Sequence, residues 1–277
     1  MAPPLTADAL LAALKAEGVR VAEHSGWRTH NRNHKGPWGG MNGVVIHHTA
    51  GANSLGLCWT GMADLPGPLC HTHLSKAGLA TMVGYGRANH AGTFAQNAHT
   101  AVVNESATHP RPDNAEPVDG NAHYYGIEIE NLGNGHDPYP AVQYGAAVRW
   151  AAAICRAHRW SANSVIGHKE GTRRKIDPSF GMGQFRKDVH ERLEHSASWN
   201  PGPTTPDEGL DMDAKAVHDA VWGRDAIPSP TSAATHGTNP TWKAASYLPE
   251  IIDRLATLTA KVDALTKKLD EKEARTS

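Results

Sequence analysis

Three stretches of this sequence place metal-binding or proton-transferring side chains directly after short apolar runs. The first is Val44-Val45-Ile46-His47-His48-Thr49-Ala50, a tandem His behind three β-branched residues. In the second, His168 follows Ser164-Val165-Ile166-Gly167, and Lys175, Asp177 and Pro178 come shortly after it. The third is Gly126-Ile127-Glu128-Ile129-Glu130, where strand alternation puts both carboxylates on one face. A neutral imidazole and a carboxylate at the two ends of one loop suit Zn²⁺, and an imidazole from the tandem would complete a three-ligand set. Such a set leaves one tetrahedral position for water, the mark of a catalytic and not a structural site. Spacing alone does not choose between His47 and His48, which read equally well as half-exposed loop residues. Nor does it give Glu128 or Glu130 a partner, and Arg173-Arg174 reads as a solvated basic turn.

The elements that must hold these residues follow from local pattern. Thr6 caps a helix running to Ala16, with Leu10, Leu11 and Leu14 on one face and Gly18 as its stop. The polar stretch 23–41 reads as loop, and 43–46 as a buried strand ending at His47-His48. Further strands are expected at 79–83, 126–130 and 164–166. The clearest helix is Val142 to His158, with Tyr144, Ala147, Val148, Ala151, Ile154 and Cys155 on one side. Strands interleaved with helices predict an α/β domain over residues 1–198.

Beyond it, 199–246 is rich in Pro, Ser and Thr and reads as a linker, with one short helix at Met212 to Val221. Leu248, Ile251, Leu255, Leu258, Val262, Leu265 and Leu269 then alternate spacings of three and four, so 247–277 reads as a heptad-repeat helix. Its narrow stripe must pair with copies of itself through residues 248–269 or pack back on the domain. The Pro-rich tether favours a homo-oligomer. Pro249 fits only if it lies in the first helical turn.

Composition narrows the function classes. Lys plus Arg total 27 against 28 Asp plus Glu, so the basic excess expected of a nucleic-acid or acidic-membrane binder is missing. There is no apolar run long enough to span a membrane and no signal-peptide pattern at the start. Eighteen His raise the prior for metal or acid–base chemistry. Cys155 falls on the apolar helical face; Cys58 and Cys70 bracket a Gly/Pro-rich loop and read as a disulfide or as two free thiols.

In their order, His47-His48-Thr49-Ala50, Asn89-His90-Ala91-Gly92, Gly126-Ile127-Glu128-Ile129-Glu130 and Gly167-His168 with Lys175-Ile176-Asp177-Pro178 resemble the type 2 N-acetylmuramoyl-L-alanine amidases. These share a fold with the peptidoglycan recognition proteins, and the resemblance covers about residues 25–195. It implies a central mixed β-sheet flanked by helices, one Zn²⁺ per chain on His47, His168 and Asp177, Glu128 as general base and Lys175 as a catalytic aid. It also implies His71, Asn89 and His90 near the substrate groove, with the polar segment 104–123 shaping it. The substrate implied is bacterial peptidoglycan, cut between N-acetylmuramic acid and L-alanine. More narrowly, Gly26-Trp27-Arg28-Thr29-His30-Asn31-Arg32-Asn33 resembles the endolysins of phages infecting high-GC Gram-positive bacteria. Such a protein would be made in the host cytoplasm and reach the wall through a holin or on lysis. Three other readings compete: a non-catalytic peptidoglycan-binding module, a zinc peptidase cutting the stem peptide, and a tail-associated phage protein.

Overall fold

The computed structural model describes residues 2–200, 225–229, 237–238 and 241–273. The chain divides into two compact units, 1–200 and 201–277. The first begins with α1 (Ala7–Ala16), β1 (Arg20–Glu23), β2 (Gly43–His48) and α2 (Leu55–Thr60). A short hairpin of β3 (Gly61–Met62) and β4 (Leu65–Pro66) leads to β5 (Thr72–Leu74) and β6 (Leu79–Met82). Then come β7 (Thr93–Phe94), α3 (Gln96–Val103), β8 (Val118–Asp119), α4 (Gly120–His123) and β9 (Tyr124–Ile129). The unit closes with α5 (Ala141–His158), β10 (Val165–Gly167), α6 (His168–Gly171) and α7 (Met182–Glu194).

Six strands form one mixed sheet in the order β1-β6-β5-β9-β2-β10, parallel except where β5 meets β6. Period-two alternation gives its faces different tasks. Val44, Ile46, Tyr125, Ile127, Ile129, Leu74 and Met82 form the main core with α1, α5 and α7, around the fully buried Trp150. The opposite face carries Val45, Tyr124 and Ile166, packed with Phe94, Ala98 and Val102. Because β2 has apolar neighbours on both sides, it reads as a continuous apolar run.

The expected helices form where their caps lie. Thr6 Oγ1 accepts the Ala9 N–H, and α1 ends with Gly18 at φ +77°. There Gly18 N–H bonds Lys15 C=O and Val19 N–H bonds Leu14 C=O, the paired closing bonds of a glycine-terminated helix. Behind the sheet, Glu17 is almost fully buried and pairs with Arg156 of α5 at 2.9 Å and Arg192 of α7 at 2.7 Å. Cys58, Cys70 and Cys155 are all buried free thiols.

In the second unit, β11 (Asp225–Pro228) pairs antiparallel with β12 (Thr241–Lys243), followed by a C-terminal helix, Ala244–Glu273. This helix starts earlier than the heptads suggest, so Pro249 falls beyond its first turn. Ile251, Leu255, Leu258, Val262 and Leu265 are exposed along it. The short helix expected at 212–221 lies outside the described residues. No helix among the described residues is long and apolar enough to cross a membrane.

Candidate metal centre and active site

Strand β2 continues through both His, so alternation sends them to opposite faces. His47 emerges opposite α5, level with Glu128 on β9, and Glu128 is in turn level with His73 on β5. His48 turns the other way, its Nδ1 3.0 Å from the Tyr139 hydroxyl. The distinction that spacing left open is therefore one of strand parity.

His168 starts the short α6 at the end of β10, the neighbour of β2. The Gly167 N–H donates to Glu170 Oε2 at 3.0 Å, and Glu170 is held by Arg186 of α7 at 2.7 Å. The loop beyond is folded back by Lys169: its N–H donates to Asp177 C=O at 2.8 Å, and its ammonium to the Pro178 and Phe180 carbonyls. Asp177 thereby returns beside His168. Lys169 and Glu170 escaped the sequence reading because their partners are backbone carbonyls and a distant Arg.

Three donor atoms converge. His47 Nδ1 and His168 Nδ1 are 2.9 Å apart, and Asp177 Oδ2 lies 3.2 Å and 3.1 Å from them. All three residues are buried. Zinc–ligand bonds of about 2.0–2.1 Å in a tetrahedron imply ligand–ligand edges of roughly 3.3 Å, close to this spacing. The protonation pattern points the same way. His168 Nε2 faces the Ala91 carbonyl at 3.3 Å, and a carbonyl only accepts, so Nε2 carries the proton and Nδ1 is bare. His90 Nε2 faces the Tyr124 carbonyl at 3.3 Å, so His90 Nδ1 accepts the proton of His47 Nε2 at 3.0 Å. Two lone pairs and a carboxylate thus meet with no donor among them, which is an environment for a cation. Burial, reinforced by His168, lowers the His47 pKa to about 4, and burial first of all pushes His90 well below its usual range.

His168 and Asp177 line a cleft of about 500 Å³, while His47 is buried against them and is not among its lining residues. His48 also lines the cleft, from the other face of β2. Glu128 also lines it, and its Oε2 is buried without a hydrogen-bond partner. Burial, then the nearby Cys58 and Asp177, raise the Glu128 pKa well above its ordinary value, against the pull of Lys175. Lys175 is exposed and lines the same cleft. Glu130 is engaged elsewhere: it lies 3.6 Å from His73 Nε2, which is 3.0 Å from Ser54 Oγ.

Of the residues expected along the groove, Asn89 and His90 line the cleft, His90 lying against His47. His71 is not among the lining residues. It is fully buried, with Nδ1 accepting the Gly126 N–H at 2.8 Å and Nε2 donating to Gly86 C=O at 2.9 Å. Gly126 itself must be Gly: a Cβ there would come within 2.4 Å of the His90 ring. The basic turn is also more engaged than its composition suggests. Arg174 pairs with Glu116, and Arg173 bonds the Pro112 carbonyl and Asn114, which ties the long polar segment to the loop carrying Asp177.

A family model described as N-acetylmuramoyl-L-alanine amidase matches residues 37–180, just over half of the 277. Among solved structures, the chain is similar to the endolysin amidase LysCS from Clostridium intestinale, at 16% identity over 61% of this chain and 95% of that one, with a TM-score of 0.40. It is also similar to the E. coli amidase AmiD, solved with the substrate anhydro-N-acetylmuramic acid-L-Ala-D-gamma-Glu-L-Lys. That match has 20% identity, covers 69% and 67% of the two chains, and has a TM-score of 0.39. A third is the Ph2119 endolysin of a Thermus scotoductus bacteriophage, at 16% identity over 61% and 99%, with a TM-score of 0.35. No curated protein matches the chain. With its mixed sheet, its His–His–Asp cluster and the family match through both, this chain belongs to the N-acetylmuramoyl-L-alanine amidase family.

Proposed function

We propose that this amidase uses one Zn²⁺, held by His47, His168 and Asp177, to cut the bond between the lactyl carbonyl of N-acetylmuramic acid and the amine of L-alanine in peptidoglycan. The observation that carries the zinc assignment is the convergence of two bare Nδ1 atoms and one carboxylate oxygen beside the cleft. When bound, the metal supplies a Lewis acid that makes water acidic enough to react near neutral pH. Glu128, with its unpartnered Oε2 and raised pKa, takes the proton of the attacking water and hands it to the departing amine. The Lys175 ammonium offsets the charge that develops on the carbonyl oxygen. Asn89 and the apolar wall of Leu57, Met62, Leu65 and Leu69 contact the sugar–peptide chain in this reading, which their lining of the cleft supports.

The finer reading is a phage endolysin that lyses a high-GC Gram-positive host, acting at the wall after synthesis in the cytoplasm; the Gly26–Asn33 motif supports it. Self-association through 248–269 belongs to the same proposal, supported by the exposed apolar stripe of the C-terminal helix. The deciding test digests defined walls and identifies the cleaved bond, with zinc content measured in parallel. Free L-alanine amino termini and one zinc per chain are expected. Cleavage within the stem peptide would overturn the bond assignment. His47→Ala and Asp177→Ala should lose zinc while His48→Ala keeps it; retention of zinc by His47→Ala would remove that ligand from the set.

A further inference from the structure

One turn, Asn89 to Gly92, supplies the outer partner of both candidate ligand imidazoles. The His90 ring accepts from His47 Nε2 at 3.0 Å, and the Ala91 carbonyl accepts from His168 Nε2 at 3.3 Å. The turn is neither helix nor strand, so its backbone donors need partners from elsewhere. They find one atom. Asn121 Oδ1 accepts the N–H of His90 at 2.9 Å, of Ala91 at 2.9 Å and of Gly92 at 3.2 Å. Asn121 is buried in α4, three residues before Tyr124, whose carbonyl fixes the proton of His90. It does not belong to the His–His–Asp cluster and does not line the cleft.

We infer that Asn121 is a positioning residue for the metal site: by clamping this turn it fixes the orientation and tautomer of His47 and His168 together. The inference rests on the zinc reading above. Its chemistry is that of an acceptor. A carboxamide oxygen with three N–H groups converging on it can be replaced by a carboxylate oxygen, whereas a methyl group of similar size leaves all three donors without this acceptor, two of them buried. With the clamp lost, the His90 ring and the Ala91 carbonyl are free to move, and each ligand imidazole loses what holds its proton on Nε2.

The test measures zinc affinity of the full chain by competition with a chelator of known strength, using Zn²⁺ alone as probe, alongside the thermal midpoint of each metal-free variant. Asn121→Leu is expected to bind zinc ~10–100-fold more weakly, the range typical for loss of an outer-sphere partner. Asn121→Asp, which keeps the acceptor, should recover most of that loss. A drop in metal-free midpoint with unchanged zinc affinity in Asn121→Leu would make Asn121 merely structural and overturn the inference. Absence of zinc binding by the wild type would instead overturn the zinc reading, and this inference with it. Should Asn121→Leu fail to fold, long-range ¹H–¹⁵N spectra of the wild type decide. Protons on Nε2 of His47, His90 and His168 are expected, and a proton on Nδ1 of either His47 or His168 would overturn the assignment.

Discussion

Two adjacent residues of one type, His47 and His48, meet opposite surroundings because successive strand side chains leave opposite faces of a sheet. The same parity separates Glu128, at the cleft, from its neighbours Ile127 and Ile129 in the core. It does not separate Glu128 from Glu130, which is set apart by the partner it finds in His73. In the metal-free chain, burial first of all lifts the Glu128 pKa, so its carboxyl should titrate by NMR above the ordinary carboxylate range. Lys175 pulls the other way, so in metal-free Lys175→Met that midpoint should move to still higher pH, while kcat/KM of the zinc-loaded variant falls ~10²–10³-fold. A midpoint at ordinary carboxylate pH in the metal-free wild type would overturn the burial effect. How far the site was legible also divides here. His168 and Asp177 could be paired because one loop joins them, whereas Asn121 and His90 act on partners brought near only by the fold, and Lys169 bonds backbone carbonyls of its own loop, which no side-chain pattern reveals.

Among the elements, those with local signals were readable: α1 through Thr6 and Gly18, α5 through its apolar face, β2 and β9 through their β-branched runs. Strand β5 was not, since Thr72-His73-Leu74 is a buried strand made mostly of polar residues whose partners lie on β6, β9 and α5. Helix α7 was missed because its stripe of Met182, Phe185 and Val189 is sparse among charged residues. What α7 contributes is best seen at Glu17, where one buried carboxylate joins the end of α1 to Arg156 of α5 and Arg192 of α7. Removing it leaves Arg192 buried without a counter-charge, so Glu17→Ala should destabilise by about 3–5 kcal/mol. Denaturant midpoints check this, and zinc content per folded molecule should be unchanged. A loss under about 1 kcal/mol would mean that solvent already screens the cluster.

For the whole molecule, the exposed heptad stripe predicts that the chain sediments as an oligomer and that deleting residues 241–277 returns it to a monomer. Arg254, Lys261 and Lys268 share one heptad position, so antiparallel pairing would set like charges against each other and a parallel arrangement is expected. In Ile251→Cys, near one end of the stripe, each cysteine should then cross-link to its own copy, whereas an antiparallel pair would hold the two about 20 Å apart; a full chain that sediments at the mass of one copy would count against association altogether. The catalytic unit carries a different long-range property. His47 and His168 are 121 residues apart, and the second rides on β10, the edge strand added last in chain order. Until that strand has left the ribosome and docked on β2, no growing chain holds more than one of the three donors. A nascent or proteolytically shortened chain ending before residue 165 should therefore bind no zinc at this site and cut no wall. The enzyme's destructive chemistry would be switched on only when the closing strand and the loop to Asp177 had been made and docked.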